Sequence, residues 1–176
     1  ISDINIIKNF KIKNNKTKKE ISFQQNNLLI NKIINRKLNK GFYGVSIDSK
    51  SVKKGNLFLA IKGKRKDGHN YLNEAILKGA SHCVISKNFN KIKKNKVIKV
   101  SNTYSFLKKL AILKRKYTDG KIIAVTGSSG KTTVKNLIGK LLNNYGDTYF
   151  SPRSFNNSYG VPLSLCNLQQ EHKFGV

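Results

Sequence analysis

At 176 residues the chain has room for one ordinary domain or two small ones, and Ile, Leu and Val are spread widely enough to bury a core. The formal net charge of +27 invites a polyanionic partner. Only four of the 35 basic residues are arginines, however, and the lysines are dispersed through every segment beside abundant Asn and Ile, as an A/T-rich coding bias produces. Nucleic-acid binding is therefore the minority reading. No apolar run is long enough to span a bilayer and no charged-then-apolar leader opens the chain, so no membrane partner is expected. The widely separated Cys83 and Cys166 fit neither a metal site nor a disulfide framework and should be reduced and buried, in a cytoplasmic, monomeric protein. Without Met and with no capping signal at Phe174-Gly175-Val176, the chain reads as a fragment.

Residues 1–22 are polar and basic and read as a tail or linker, with Lys11, Lys13, Lys16, Lys18 and Lys19 interrupting any periodicity. From Phe23 to Leu38, apolar residues at helical spacing predict a short helix ending before Gly41. Val45 and Ile47 alternate with polar residues, and Leu57-Phe58-Leu59-Ala60-Ile61 predicts a buried strand, with turn chemistry at Lys53-Lys54-Gly55-Asn56 between them. A basic loop, Lys64-Arg65-Lys66-Asp67-Gly68-His69, leads into a helix carrying Leu72, Ala75 and Ile76 that stops at Gly79. Cys83-Val84-Ile85 and Val97-Ile98-Lys99-Val100 predict two more strands. Ser101 or Asn102 caps a helix with Phe106, Leu107, Leu110 and Ala111 on its apolar face, broken at Thr118-Asp119-Gly120. His82 and His172 belong to no motif and are expected at the surface.

The fold class expected is α/β: a small N-terminal domain over residues 23–118, then the start of a parallel-sheet domain over 119–176. The latter opens with Ile122-Ile123-Ala124-Val125-Thr126-Gly127-Ser128-Ser129-Gly130-Lys131-Thr132-Thr133 and an apolar pattern at Val134, Leu137, Ile138, Leu141 and Leu142. This reads as a strand buried on both faces, a glycine loop and a helix. Gly127 and Gly130 let the backbone turn tightly, and the helix start adds partial positive charge, so Gly127, Ser128, Ser129, Gly130 and Thr133 would cradle a phosphate. Lys131 would neutralise β/γ-phosphates and the Thr132 hydroxyl would help hold Mg²⁺. Val125 stands where the general pattern has its first glycine, so the loop is the shorter G-x-x-G-K-T-T form.

After a short strand at Thr148-Tyr149-Phe150 comes Ser154-Phe155-Asn156-Asn157-Ser158-Tyr159-Gly160-Val161-Pro162-Leu163, with Pro162 suited to the first turn of a helix. Asn156 and Asn157 either contact phosphate or carboxylate at the ligand-binding end of the sheet or cap a turn. Together with the phosphate loop, this segment closely resembles the start of the ATP-binding domain of the Mur ligases, and specifically the branch that adds D-alanyl-D-alanine to UDP-N-acetylmuramoyl-tripeptide. Asp48-Ser49-Lys50-Ser51-Val52, Gly55-Asn56-Leu57-Phe58-Leu59-Ala60, Asp67-Gly68-His69 and Gly79-Ala80 resemble the uridine-nucleotide domain of the same family. Similarity runs from about residue 42 to 176.

The resemblance implies an ATP- and Mg²⁺-dependent amide ligase of peptidoglycan precursor synthesis, with UDP-N-acetylmuramoyl-tripeptide and D-alanyl-D-alanine as substrates. It puts ATP on Gly127 to Thr133, with Lys131 catalytic and Asn156 and Asn157 also at the nucleotide, and the UDP end of the substrate near Ser49, Lys50, Asp67 and His69. Lys50 replaces the family's usual Arg, which keeps the charge and loses the bidentate fork. Asp67-Gly68-His69 can equally be a turn whose aspartate bonds its own backbone. Another Mur or folylpolyglutamate-type ligase is the alternative within the fold, and a basic nucleic-acid-binding nucleotidase the alternative outside it. The fragment alone is not expected to ligate.

Overall fold

The computed structural model describes residues 18–35, 37–38, 40–89, 92–151 and 158–176. It divides into two compact units, the first ending at Leu110 and the second running from Ala111 to Val176.

The first unit opens with helix α1, Lys18–Ile34. Its start lies inside the stretch read as a tail, and its inward face is polar: Ser22, Gln25 and Asn26 are buried beside Leu29 and Ile30. Asn26 Nδ2 donates to the Phe42 carbonyl at 3.1 Å and Asn27 Nδ2 to the Leu38 carbonyl at 3.2 Å, while Asn31 Oδ1 accepts the Leu38 amide at 2.9 Å. Side-chain amides thus satisfy backbone groups that the returning chain buries, and apolar periodicity carries no trace of it.

Four parallel strands follow, β1 (Val45–Ser46), β2 (Leu57–Leu59), β3 (His82–Ile85) and β4 (Val97–Lys99), in that order across the sheet. Val45 pairs with Leu57, Leu57 with His82 and Cys83 with Val97. Alternation along the strands divides the core. Phe58, Ala60, Cys83 and Ile85 form one cluster with Val52, Ala80 and, from helix α2 (Leu72–Leu77), Leu72 and Ala75. Leu57, Leu59, Val84 and Ile98, on the opposite face, are equally buried, as parallel strands covered on both faces require. Each fully buried Leu or Phe contributes about 1.5–3 kcal/mol. Helix α2 ends where expected: the Gly79 amide bonds the Ile76 carbonyl and the Ala80 amide bonds the Ala75 carbonyl, a Schellman closure.

Helix α3, Thr103–Tyr117, has Asn102 at its start, whose Oδ1 accepts the Ser105 amide at 2.8 Å. The helix passes the division between the units. Within the second unit, β5 (Lys121–Ile122), β6 (Thr148–Tyr149) and β7 (Phe174–Gly175) form a parallel sheet in the order β5-β7-β6. The central strand therefore follows both of its neighbours in sequence. Helix α4 (Lys131–Asn143) joins β5 to β6, and α5 (Gly160–Asn167), with Pro162 in its first turn, precedes β7.

Three sequence expectations change. The strand expected over residues 122–125 is shorter, and Ile123 and Ala124 are exposed, because among the described residues nothing pairs with the second edge of β5. His82 is buried: it is the first residue of a strand covered on both faces. His172 is partly buried, and its Nδ1 accepts the Gln169 amide at 2.8 Å. Cys83 and Cys166 are free and buried, as expected. No helix among the described residues is long and apolar enough to cross a membrane.

Candidate functional site

The phosphate loop sits where the sequence predicts it, between β5 and α4, with Gly127, Ser128, Ser129 and Gly130 exposed. Gly130 adopts φ +73° as the residue before the helix, a left-handed conformation that glycine takes without strain. The first ladder bond of α4 runs from the Val134 amide to the Gly130 carbonyl at 3.0 Å. The amides of Lys131, Thr132 and Thr133 thus precede the ladder and have no acceptor within it. With the positive end of the helix dipole beside them, they make an arrangement that could cradle an anion.

Lys131 is partly buried and bends back over the loop, its Nζ donating to the Gly127 carbonyl and, at 3.0 Å, to the Ser128 carbonyl. The ammonium therefore stands at the mouth of the cradle, where a phosphate oxygen would compete with those carbonyls for it. Thr132, on the first turn of α4, is exposed. One turn further on, Lys135 Nζ donates to the Ser151 carbonyl and, at 3.3 Å, to the Ser151 hydroxyl. Val125, Lys131, Thr132, Lys135, Tyr149 and Ser151 contribute to one cavity of about 250 Å³ in this unit. Cationic and hydroxyl groups on part of an otherwise apolar wall suit a ligand with an anionic end. Asn156 and Asn157 lie outside the described residues, as does Ser154.

The substrate-side candidates belong to the first unit. Segments following β1, β2 and β3 carry Ser49-Lys50, Asp67 and Ser86-Lys87. Because the strands are parallel, all three leave the sheet at its carboxyl edge, the edge at which open α/β sheets take ligands. Asp48 Oδ1 accepts the Lys50 amide at 3.0 Å and caps the turn Ser49–Ser51. Ser49 is only 5% exposed and gives its hydroxyl to Glu74 Oε2 at 2.7 Å, whereas the Lys50 side chain is exposed. Lys78 Nζ donates to the Lys50 carbonyl at 2.9 Å and pairs with Glu74 at 3.5 Å. The Ser49 hydroxyl thus donates to Glu74 and keeps its acceptor lone pairs, and the exposed Lys50 side chain follows it in the turn.

Asp67 and His69 are brought together in the same way. Asp67 Oδ1 accepts the His69 amide at 3.0 Å and His69 Nδ1 at 2.6 Å, and Oδ2 accepts Lys87 Nζ at 2.8 Å. Burial opposes ionisation of this carboxylate, but the hydrogen bonds from Lys87 and His69 outweigh it and hold its pKa well below the usual range. His69 Nε2 accepts the Ser86 amide at 3.0 Å, so the ring proton sits on Nδ1. Of the two readings open for Asp67-Gly68-His69, these bonds describe the turn. The pair ties the loop after β2 to the end of β3.

Glu74, Lys78, Lys87, Lys135 and Ser151 were not singled out in the sequence. A signal existed for three of them: Glu74 and Lys78 stand at i,i+4, and Lys135 stands four residues after Lys131. For Lys87 and Ser151 the partner is 20 and 16 residues away, and no local pattern marks it.

The chain thus carries a parallel sheet with three loops at its carboxyl edge, followed in the second unit by a G-x-x-G-K-T-T strand-loop-helix. Residues 41–115 match the Mur ligase family, catalytic domain, and residues 125–176 match the Mur ligase middle domain. The chain belongs to the Mur ligase family. Among its relatives, the UDP-N-acetylmuramoyl-tripeptide–D-alanyl-D-alanine ligase of Rickettsia prowazekii is 39% identical over 132 residues, which are 75% of this chain and 29% of the relative. The structure resembles MurF from Acinetobacter baumannii, with a TM-score of 0.69 and 27% identity over 85% of this chain and 34% of that one. It also resembles the MurF ligase of Thermotoga maritima solved in complex with ADP, with a TM-score of 0.58 and 34% identity over 76% of this chain and 31% of that one. The chain thus spans roughly a third of the length of the relatives it matches.

Proposed function

We propose that this chain is the sugar-nucleotide-binding and ATP-binding part of an ATP-dependent amide ligase of peptidoglycan precursor synthesis, one that joins D-alanyl-D-alanine to UDP-N-acetylmuramoyl-tripeptide. The observation that carries the reading is the succession, in one chain, of a Mur-type parallel sheet and a Mur-type middle domain whose loop offers Lys131 and the amides of a helix start. Relatives in Rickettsia prowazekii and Escherichia coli bear this ligase's name, and the Thermotoga maritima MurF ligase was solved with ADP.

The γ-phosphoryl group of ATP passes to the terminal carboxylate of the tripeptide, and ADP departs. The amine of D-alanyl-D-alanine then attacks the acyl phosphate, forming the amide, losing a proton and expelling phosphate. Such transfer needs positioning and charge neutralisation more than an acid–base pair. Gly127, Ser128, Ser129, Gly130 and Thr133 cradle the phosphates by backbone contact, Lys131 exchanges its loop carbonyls for phosphate oxygens, and Asn156 and Asn157 serve the nucleotide side. The exposed Thr132 hydroxyl fits one oxygen ligand of Mg²⁺. Mg²⁺ in phosphate-transfer sites keeps several waters and takes one or two protein oxygens beside those of the phosphates. Bound there, Mg²⁺ would neutralise charge developing on the phosphates.

On the sugar-nucleotide side, Ser49 fixes the turn that presents Lys50, and Asp67 and His69 hold the loop that presents Lys87. The helix Thr103–Tyr117 passes the division at Leu110, and we place the functional domain boundary at its end, near residue 118; the protein works as a cytoplasmic monomer. The test is phosphate release by the full-length protein with ATP, the sugar-nucleotide tripeptide and D-alanyl-D-alanine. Release that needs both co-substrates is expected; release with a glutamate acceptor in place of the dipeptide would defeat the assignment.

A further inference from the structure

Lys135 is a partly buried ammonium in the cavity beside the phosphate loop, and among the described residues no carboxylate pairs with it. Its two bonds both go to Ser151, at the backbone carbonyl and the hydroxyl. Ser151 is 8% exposed and stands just beyond β6. A cation on α4 thus bonds a buried residue at the end of a strand, although a partly buried ammonium without a counter-charge carries a desolvation cost. Burial lowers the Lys135 pKa accordingly. A neutral donor would meet the carbonyl at less cost; the lysine adds a charge-assisted tie that reaches across the cavity.

We infer that Lys135 is a positioning residue for nucleotide binding: its ammonium fastens the carboxyl end of β6 to the helix that bears Lys131 and Thr132, and so sets the geometry of the cavity they share. Lys131 and Thr132 occupy the first turn of α4 and Lys135 the second, so a shift at the Ser151 tie is transmitted through a rigid helix to the loop. The inference rests on the nucleotide-binding reading above and adds to it a residue one turn outside the motif.

The experiment uses the full-length protein, with ADP alone and then with ATP and both co-substrates. Lys135→Met is expected to raise the Kd for ADP and the KM for ATP about tenfold while kcat stays within about threefold. Lys135→Arg, which restores a cationic donor, should recover most of that affinity. Lys135→Met binding ADP within about twofold of the parent protein overturns the inference. So does Lys135→Arg as impaired as Lys135→Met, with both variants losing their cooperative melting transition, since that marks a purely structural role. A protein that binds ADP with this dependence on Lys135 but does not ligate refutes the ligase reading and leaves the inference standing. A parent protein that binds no ADP overturns both.

Discussion

The ammonium of Lys114, buried in the second unit, donates to Oε1 of Gln169 at 3.1 Å, across 55 residues of sequence. Burial lowers its pKa to about 8, against the smaller opposing pull of Cys166 and Glu171. The folded protein therefore releases this proton earlier than the unfolded chain, whose lysine titrates near 10.4. Between those values the unfolded state binds more protons, so this group makes stability rise with pH. Cys166 and Tyr149 act oppositely: burial pushes each to about 12, so the folded state holds protons that the unfolded chain loses from about pH 9 upward. Urea midpoints of the second unit should rise from pH 7.5 to a maximum near pH 9 and then fall. Lys114→Met should be neutral or stabilising by about 1 kcal/mol at pH 7 and should lack the rise; a parent midpoint flat from pH 7.5 to 9 would count against this account.

Asp67→Asn should destabilise the first unit by about 1–3 kcal/mol, because His69 and Lys87 both lose a charged acceptor. Lys87→Ala should cost less than about 1 kcal/mol, its side chain being 55% exposed. The carboxylate's pKa is depressed in the folded state, so its contribution is complete above about pH 4 and declines as pH falls toward the folded value. Equilibrium unfolding of the Asn variant should consequently show a shallower loss of stability below pH 4.

Lys131→Ala in the full-length protein should abolish ATP turnover, with a loss of at least about 100-fold, while the first unit stays folded. Steady-state phosphate release and circular dichroism check the two halves. Normal turnover in this variant would remove Lys131 from its assigned role.

Gly139→Ala sets two effects against each other. Alanine gains about 1 kcal/mol in a helix interior, but a Cβ there would meet Phe150 ring atoms at 2.5 Å. Overpacking costs about 1–3 kcal/mol, so a net loss of up to about 2 kcal/mol is expected. Phe150→Leu in the same background should recover part of it, giving a non-additive double-mutant cycle in thermal unfolding. Additive effects would mean that the two residues do not clash.

Much of the first unit was legible because local signals agree there: Leu57 to Ile61 makes an apolar run, Asn102 caps a helix, and Gly79 ends one. The phosphate loop was equally legible, since its chemistry is confined to consecutive residues. What escaped depends on distant partners. Helix α1 turns Ser22, Gln25 and Asn26 inward, and Asn26 meets a carbonyl 16 residues away; the start of that helix was accordingly missed. Lys114 reads as the solvated end of a helix until Gln169 arrives. His82 looked like a surface residue because a lone polar side chain does not reveal that a strand is covered on both faces. For Asp67-Gly68-His69 the sequence leaves a substrate loop and a self-bonded turn equally open, and the bond between the two side chains appears only in the fold.

The order β5-β7-β6 has a consequence in time. During synthesis the phosphate loop, its helix and β6 all leave the ribosome before Phe174 and Gly175, yet among the described residues β5 and β6 pair only with the strand those two residues form between them. An isolated helix of the length of α4 is marginal in water, so ordering of the glycine loop between β5 and α4 should follow the arrival of β7, the strand that joins both of its neighbours.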